Sequence, residues 1–148
     1  REHLEQALVF IPYGVAVDEF QHEIYRNPTA TPDERALLWK EMERKYLRYR
    51  KYDRLPFFES GRLWQRQGHI YRRPFYYIDY CLAQCCALQF WRWARSDLEG
   101  TFERYRALCK LGGSKPFTGL LQQVGLSSPF TKGTLGSILA DVRQEIGL

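Results

Sequence analysis

The sequence predicts an all-α protein, and three observations carry that expectation. Apolar residues recur three and four positions apart through most of the 148 residues, no stretch alternates apolar and polar with the period of a strand, and two segments open with helix-capping patterns. A bundle of about five to seven helices in a single domain follows, since the length is ordinary for one domain and no internal repeat or low-complexity tract divides it.

Residues 3 to 26 read as the first helix. Leu4, Leu8, Ile11 and Val15 fall on one face, and Val17, Phe20 and Ile24 on a neighbouring one, so the helix should be buried on two sides. Pro12 and Gly14 predict a kink or short break near Tyr13, and Asn27-Pro28 ends the segment. The next start, Thr31-Pro32-Asp33-Glu34, offers an N-cap hydroxyl, a proline at the first helical position and a capping-box glutamate, and should carry a helix to about Tyr52. Leu38, Met42, Tyr46 and Tyr49 make its inward stripe.

Leu55-Pro56-Phe57-Phe58 breaks that helix, and one or two helical turns between Ser60 and Gly68 lead to His69, which reads as a loop histidine. Pro74 suits a first helical position, having no N–H to leave unpaired, so a central apolar helix is predicted from Pro74 to about Arg95. Ser96-Asp97-Leu98-Glu99 reads as a second capping box, opening a helix to Leu111 with Leu98, Phe102, Tyr105 and Cys109 inward, and Gly112-Gly113 ends it. Two shorter helices follow near Thr118 to Val124 and Thr134 to Ile146.

In the predicted central helix Tyr76 and Tyr80 are four apart and share a face, with His69 near its entrance. Imidazole and phenol suit hydrogen bonding to a carbonyl oxygen that gains negative charge in a transition state. The same spacing also suits an ordinary aromatic core with a loop histidine. Sixteen per cent of the residues are aromatic, ten of them Tyr, so an aromatic-rich interior or groove is expected.

Charge and cysteine usage narrow the function classes. The net charge of +5 is modest and both signs are interleaved. Lys40, Arg44, Lys45, Arg48, Arg50 and Lys51 form the one basic run that suits a nucleic-acid phosphate backbone, but Glu41 and Glu43 dilute it and a solvated helix face explains it as well. No apolar run approaches the ~20 residues of a membrane span and Arg1-Glu2-His3-Leu4-Glu5 is not a signal peptide, so a soluble, cytoplasmic protein with no membrane contact is expected. Arg1 also falls inside a helical pattern, which points to further sequence upstream. Cys81, Cys85, Cys86 and Cys109 contain no C-x-x-C pair and read as buried reduced thiols; Cys81 and Cys85 could join His69 as metal ligands, but no fourth ligand sits at recognisable spacing.

His22-Glu23-Ile24-Tyr25-Arg26 looks like the start of the zinc signature H-E-x-x-H and fails it. The signature needs a second imidazole one turn later, and Arg26 stands there, whose guanidinium would repel the cation. His3, His22 and His69 are too scattered to rebuild the pair, so no metal is expected on this chain. Asp18 and Glu19 are adjacent carboxylates that point apart and read as structural. No nucleophile elbow or phosphate-cradling glycine loop is present.

Several patterns together carry a resemblance: Val17-Asp18-Glu19-Phe20-Gln21-His22, then Tyr25-x-Asn27-Pro28, the Thr31-Pro32-x-Glu34-Arg35 start, and His69-x-Tyr71-x-x-Pro74-Phe75-Tyr76-Tyr77-Ile78-Asp79-Tyr80. Over roughly residues 10 to 125 the chain resembles the C-terminal part of the oligoendopeptidase F family, zinc metallopeptidases related to thimet oligopeptidase. The resemblance implies a mostly helical peptidase with a deep channel that admits unstructured oligopeptides and excludes folded proteins. It also implies a zinc held by H-E-x-x-H and a further glutamate, all outside this chain, with the motif glutamate as general base. On the substrate side it implies His69 and Tyr80, then Tyr76, as groups facing the metal and stabilising the oxyanion, with Tyr71 and Tyr77 contacting substrate. The segment alone would lack the zinc and be inactive without the N-terminal remainder of the peptidase. Two other readings stand beside it: a helical binding module that kept an aromatic groove without catalysis, and a basic nucleic-acid-binding domain.

Overall fold

A computed structural model describes all 148 residues, Arg1–Leu148. Every regular element is helical: α1 (Glu2–Arg26), α2 (Pro32–Tyr46), α3 (Pro56–Glu59), a 3₁₀ turn (Leu63–Arg66), α4 (Gly68–Arg72), α5 (Ile78–Ala94), α6 (Leu98–Leu111), α7 (Phe117–Val124) and α8 (Thr134–Ile146). The all-α expectation holds, with eight α-helices rather than five to seven because two single-turn helices, α3 and α4, stand between the long ones. The chain divides into two compact units, Gln6–Cys81 and Leu82–Leu148 with Arg1–Glu5.

In the first unit α1 runs through Pro12 without the predicted break. Gly14 serves close approach instead: a Cβ there would lie 2.0 Å from Cys81 Sγ, and that thiol points to the Ile11 carbonyl at 3.8 Å. The core gathers Ala16, Val17, Phe20 and Ile24 of α1 with Trp39 and Met42 of α2, Leu47, Trp64 and Ile70. Phe20 is its hub, edge-on to Trp39 at 5.3 Å and against Trp64 at 5.0 Å.

The α2 start is as predicted: Thr31 Oγ1 accepts the Glu34 N–H at 3.2 Å and Glu34 accepts the Thr31 N–H at 2.7 Å. Its end is not. The helix stops at Tyr46 instead of running to about Tyr52, because Leu47 turns into the core and the next residues fold back, where Tyr52 donates to the buried Glu43 at 2.5 Å. The inward stripe accordingly centres on Ala36, Trp39 and Met42, while Tyr49 is exposed.

In the second unit Cys86 packs with Leu121, Val124 and Leu126, flanked by Phe90, Trp93, Leu108 and Leu111. The Gln89 side chain pins the turn before α8, donating to the Ser127 carbonyl at 3.0 Å and accepting the Ser127 N–H at 2.9 Å. Asp97, not Ser96, caps α6, accepting the Gly100 N–H at 2.9 Å. The face of α6 predicted to point inward does the opposite: Leu98 is 61% and Phe102 57% exposed, and Tyr105 and Cys109 are exposed with them. No helix is long and apolar enough to cross a membrane.

Candidate functional site

The stretch from Gly68 to Tyr80 is built differently from the helix its sequence suggests. His69 lies inside the short helix α4 rather than on a loop, and Pro74 sits in a turn rather than starting a helix, so α5 begins only at Ile78. A fixed φ near −65° serves a turn as well as a helix start, which is why proline alone misplaces the boundary. The turn is completed by Phe75, whose φ of 62° is left-handed. Its N–H donates to the Oε1 of the fully buried Gln21 at 2.9 Å, and its ring packs against His22 at 4.9 Å and Tyr25 at 5.0 Å.

That turn brings four of the five sequence-predicted residues together. The His69 ring is edge-on to Tyr77 at 5.1 Å and to Tyr80 at 5.6 Å, and Tyr80 is in turn edge-on to Tyr76 at 5.4 Å and to Tyr77 at 5.5 Å. Tyr76 precedes α5, so the two tyrosines meet through the turn and not through a shared helical face. His69 Nε2 and Tyr80 Oη are 3.4 Å apart, and Tyr80 and Tyr76 are 40% and 46% exposed. Tyr71, also exposed, stacks on Trp64 at 5.9 Å instead. Tyr77 is half-buried against Phe10 and Tyr13, and burial, followed by the neighbouring Tyr13, pushes its phenol up to about 12.

Two further residues reach the site unannounced by the sequence. Tyr13 Oη donates to Gln67 Oε1 at 2.8 Å, and the Gln67 amide nitrogen lies 2.7 Å from His69 Nδ1. Neither residue type is diagnostic alone, and Tyr13 is 54 positions from Gln67, so only the packing of α1 beside α4 reveals the link.

No group of three or more His, Cys, Asp or Glu side chains is arranged to hold a metal ion. His22 is engaged by Asp18 at 3.6 Å and by the Phe75 ring, while Glu23 pairs with Arg26. The residues of this chain therefore do not fit a zinc site. Glu19 is structural as read: Lys45, at 2.7 Å, and then Tyr46 donate to its carboxylate and hold it below the usual range. Burial raises the Asp18 carboxyl, partly offset by His22. A groove of about 800 Å³ lies in the same unit among Leu37, Lys40, Arg44, Leu47, Arg50 and Phe58, lined by none of the His69 cluster.

The family model of peptidase family M3 matches residues 1–138. The chain belongs to peptidase family M3. Among solved structures, an oligoendopeptidase F from crystals grown by microfluidic seeding is 51% identical with a TM-score of 0.96, covering 99% of this chain and 26% of its own. PZ peptidase A with an inhibitor is 49% identical with a TM-score of 0.95 and the same coverage. An oligoendopeptidase F from Bacillus anthracis str. Ames is 42% identical with a TM-score of 0.78, covering 99% of this chain and 23% of its own. No curated protein matches the chain. The resemblance to the oligoendopeptidase F family is borne out, and this M3 chain spans about a quarter of the length of the relatives it matches.

Proposed function

We propose that this M3 chain supplies the substrate-facing donors of an oligopeptidase active site whose zinc is held by residues outside it. The observation that carries the reading is the His69 and Tyr80 pair: a ring nitrogen and a phenolic oxygen 3.4 Å apart, part-exposed, and held by edge-on ring contacts. Two converging donors of this kind can share one carbonyl oxygen of a bound peptide and strengthen their bonds as that oxygen becomes an oxyanion. Tyr76, open beside Tyr80, is a third donor. Tyr71 and Tyr77 would border the peptide, Tyr71 by its exposed ring and Tyr77 as a wall beneath His69.

In the complete enzyme Tyr80→Phe should lower kcat on the order of a hundredfold while changing KM far less, because its hydroxyl acts mainly in the transition state. Equal losses in kcat and in binding would remove Tyr80 from that role. The chain alone should neither bind stoichiometric zinc nor cleave a quenched oligopeptide, and either activity would overturn the division of labour.

A further inference from the structure

The hydrogen bonds behind His69 decide which of its nitrogens carries the proton. A neutral imidazole has one N–H, and the partner of one nitrogen fixes the role of the other. Tyr13 anchors the series. Its phenol is half-buried, and burial raises its pKa in spite of the Arg50 and Arg66 charges nearby, so it keeps its proton. The acceptor in place for that proton is Gln67 Oε1 at 2.8 Å. Were the amide turned over, its NH₂ would face the hydroxyl and the half-buried phenol would lose its acceptor, a configuration that folded proteins avoid. With the amide oxygen facing Tyr13, the amide N–H faces His69 Nδ1 at 2.7 Å, and only a bare ring nitrogen can accept it. The proton then resides on Nε2, the nitrogen 3.4 Å from Tyr80 Oη.

We propose that Tyr13 and Gln67 are positioning residues that hold His69 as the neutral tautomer protonated on Nε2, making it a donor toward a peptide carbonyl. The Tyr80 hydroxyl is then not needed to donate to His69, and both groups donate to the same side. This rests on the reading of His69 as substrate-facing, but the tautomer can be measured independently of activity.

The test uses the complete peptidase with ¹⁵N-labelled histidine rings, the His69 signal being identified by its loss in His69→Asn. The wild-type spectrum should show the proton on Nε2. Tyr13→Phe, which keeps the ring but removes the hydroxyl, should give a mixture of tautomers. Gln67→Glu, whose carboxylate can only accept, should place the proton on Nδ1. In the same two variants kcat should fall about tenfold, less than the loss on deleting a donor outright, with KM little changed. A wild-type proton on Nδ1, or a tautomer unmoved in both variants, overturns the proposal. A tautomer that shifts as described while kcat stays constant upholds it and instead removes His69 from the chemistry.

Discussion

Phe75 shows how one strained position can place a site. A bulky residue at φ 62° persists only where its surroundings over-determine it, and of order 1–3 kcal/mol is stored there. Gln21 provides the polar half of that constraint by accepting the Phe75 N–H, and His22 with Tyr25 provide the apolar half by enclosing its ring. Gln21→Ala should therefore destabilise the protein by about 1–3 kcal/mol, the range for leaving a backbone donor without its buried partner. A urea midpoint unchanged from wild type would mean that ring packing alone holds the turn. The sequence announced Pro74 and concealed Phe75. Proline's fixed φ is a local property visible in one letter, whereas a left-handed phenylalanine depends on an amide 54 positions away.

Helices α1 and α6 mark two ways in which local pattern gives way to packing. In α1 a proline and a glycine two residues apart read as a break, yet the glycine is there because Cys81 occupies the space of its absent side chain. Gly14→Ala would gain about 1 kcal/mol of helix propensity and lose more to the clash, for a net destabilisation of about 1–2 kcal/mol. Cys81→Ala should restore most of that loss in the double variant, so a thermal unfolding cycle with no coupling between the two positions would contradict the packing account. In α6 the amphipathic stripe was legible and its direction was not. Periodicity identifies a face without saying what covers it. Phe90, Trp91, Ala94, Leu98, Thr101, Phe102 and Tyr105 border an apolar groove of about 270 Å³ that opens outward. Phe102→Ser should accordingly change the unfolding free energy of this chain by no more than about 0.5 kcal/mol, where burial in the core would have made the loss several times larger. A large loss would show that the face is covered in solution.

Across the chain, the elements that were legible are those with end signals in the letters themselves: the capping box of α2, the Gly112 stop of α6, and α8, whose Thr134 to Ile146 bounds were read unchanged. The candidate site was legible as a cluster of residue types, but its geometry came from the turn at Phe75 and the Tyr13 contact behind it from α1. The many tyrosines that first suggested an aromatic interior also give the protein a measurable acid–base signature. Burial pushes Tyr77 up to about 12, and burial with hydrogen bonding to Glu43 does the same for Tyr52; Tyr13 is raised in the same direction. An unfolded phenol releases its proton near the ordinary value of 10, so between about 10 and 12 the unfolded chain binds fewer protons than the folded one. The contribution of these phenols to stability should be constant below that window and fall as pH rises through it. Tyr52→Phe and Tyr77→Phe should each flatten the fall, because neither variant has that phenol to ionise in the unfolded state. Thermal midpoints followed from neutral pH to about 11 check this. A decline equally steep in both variants would place the alkaline sensitivity elsewhere, with the buried Cys86 thiol, itself pushed up to about 11, the next group to replace.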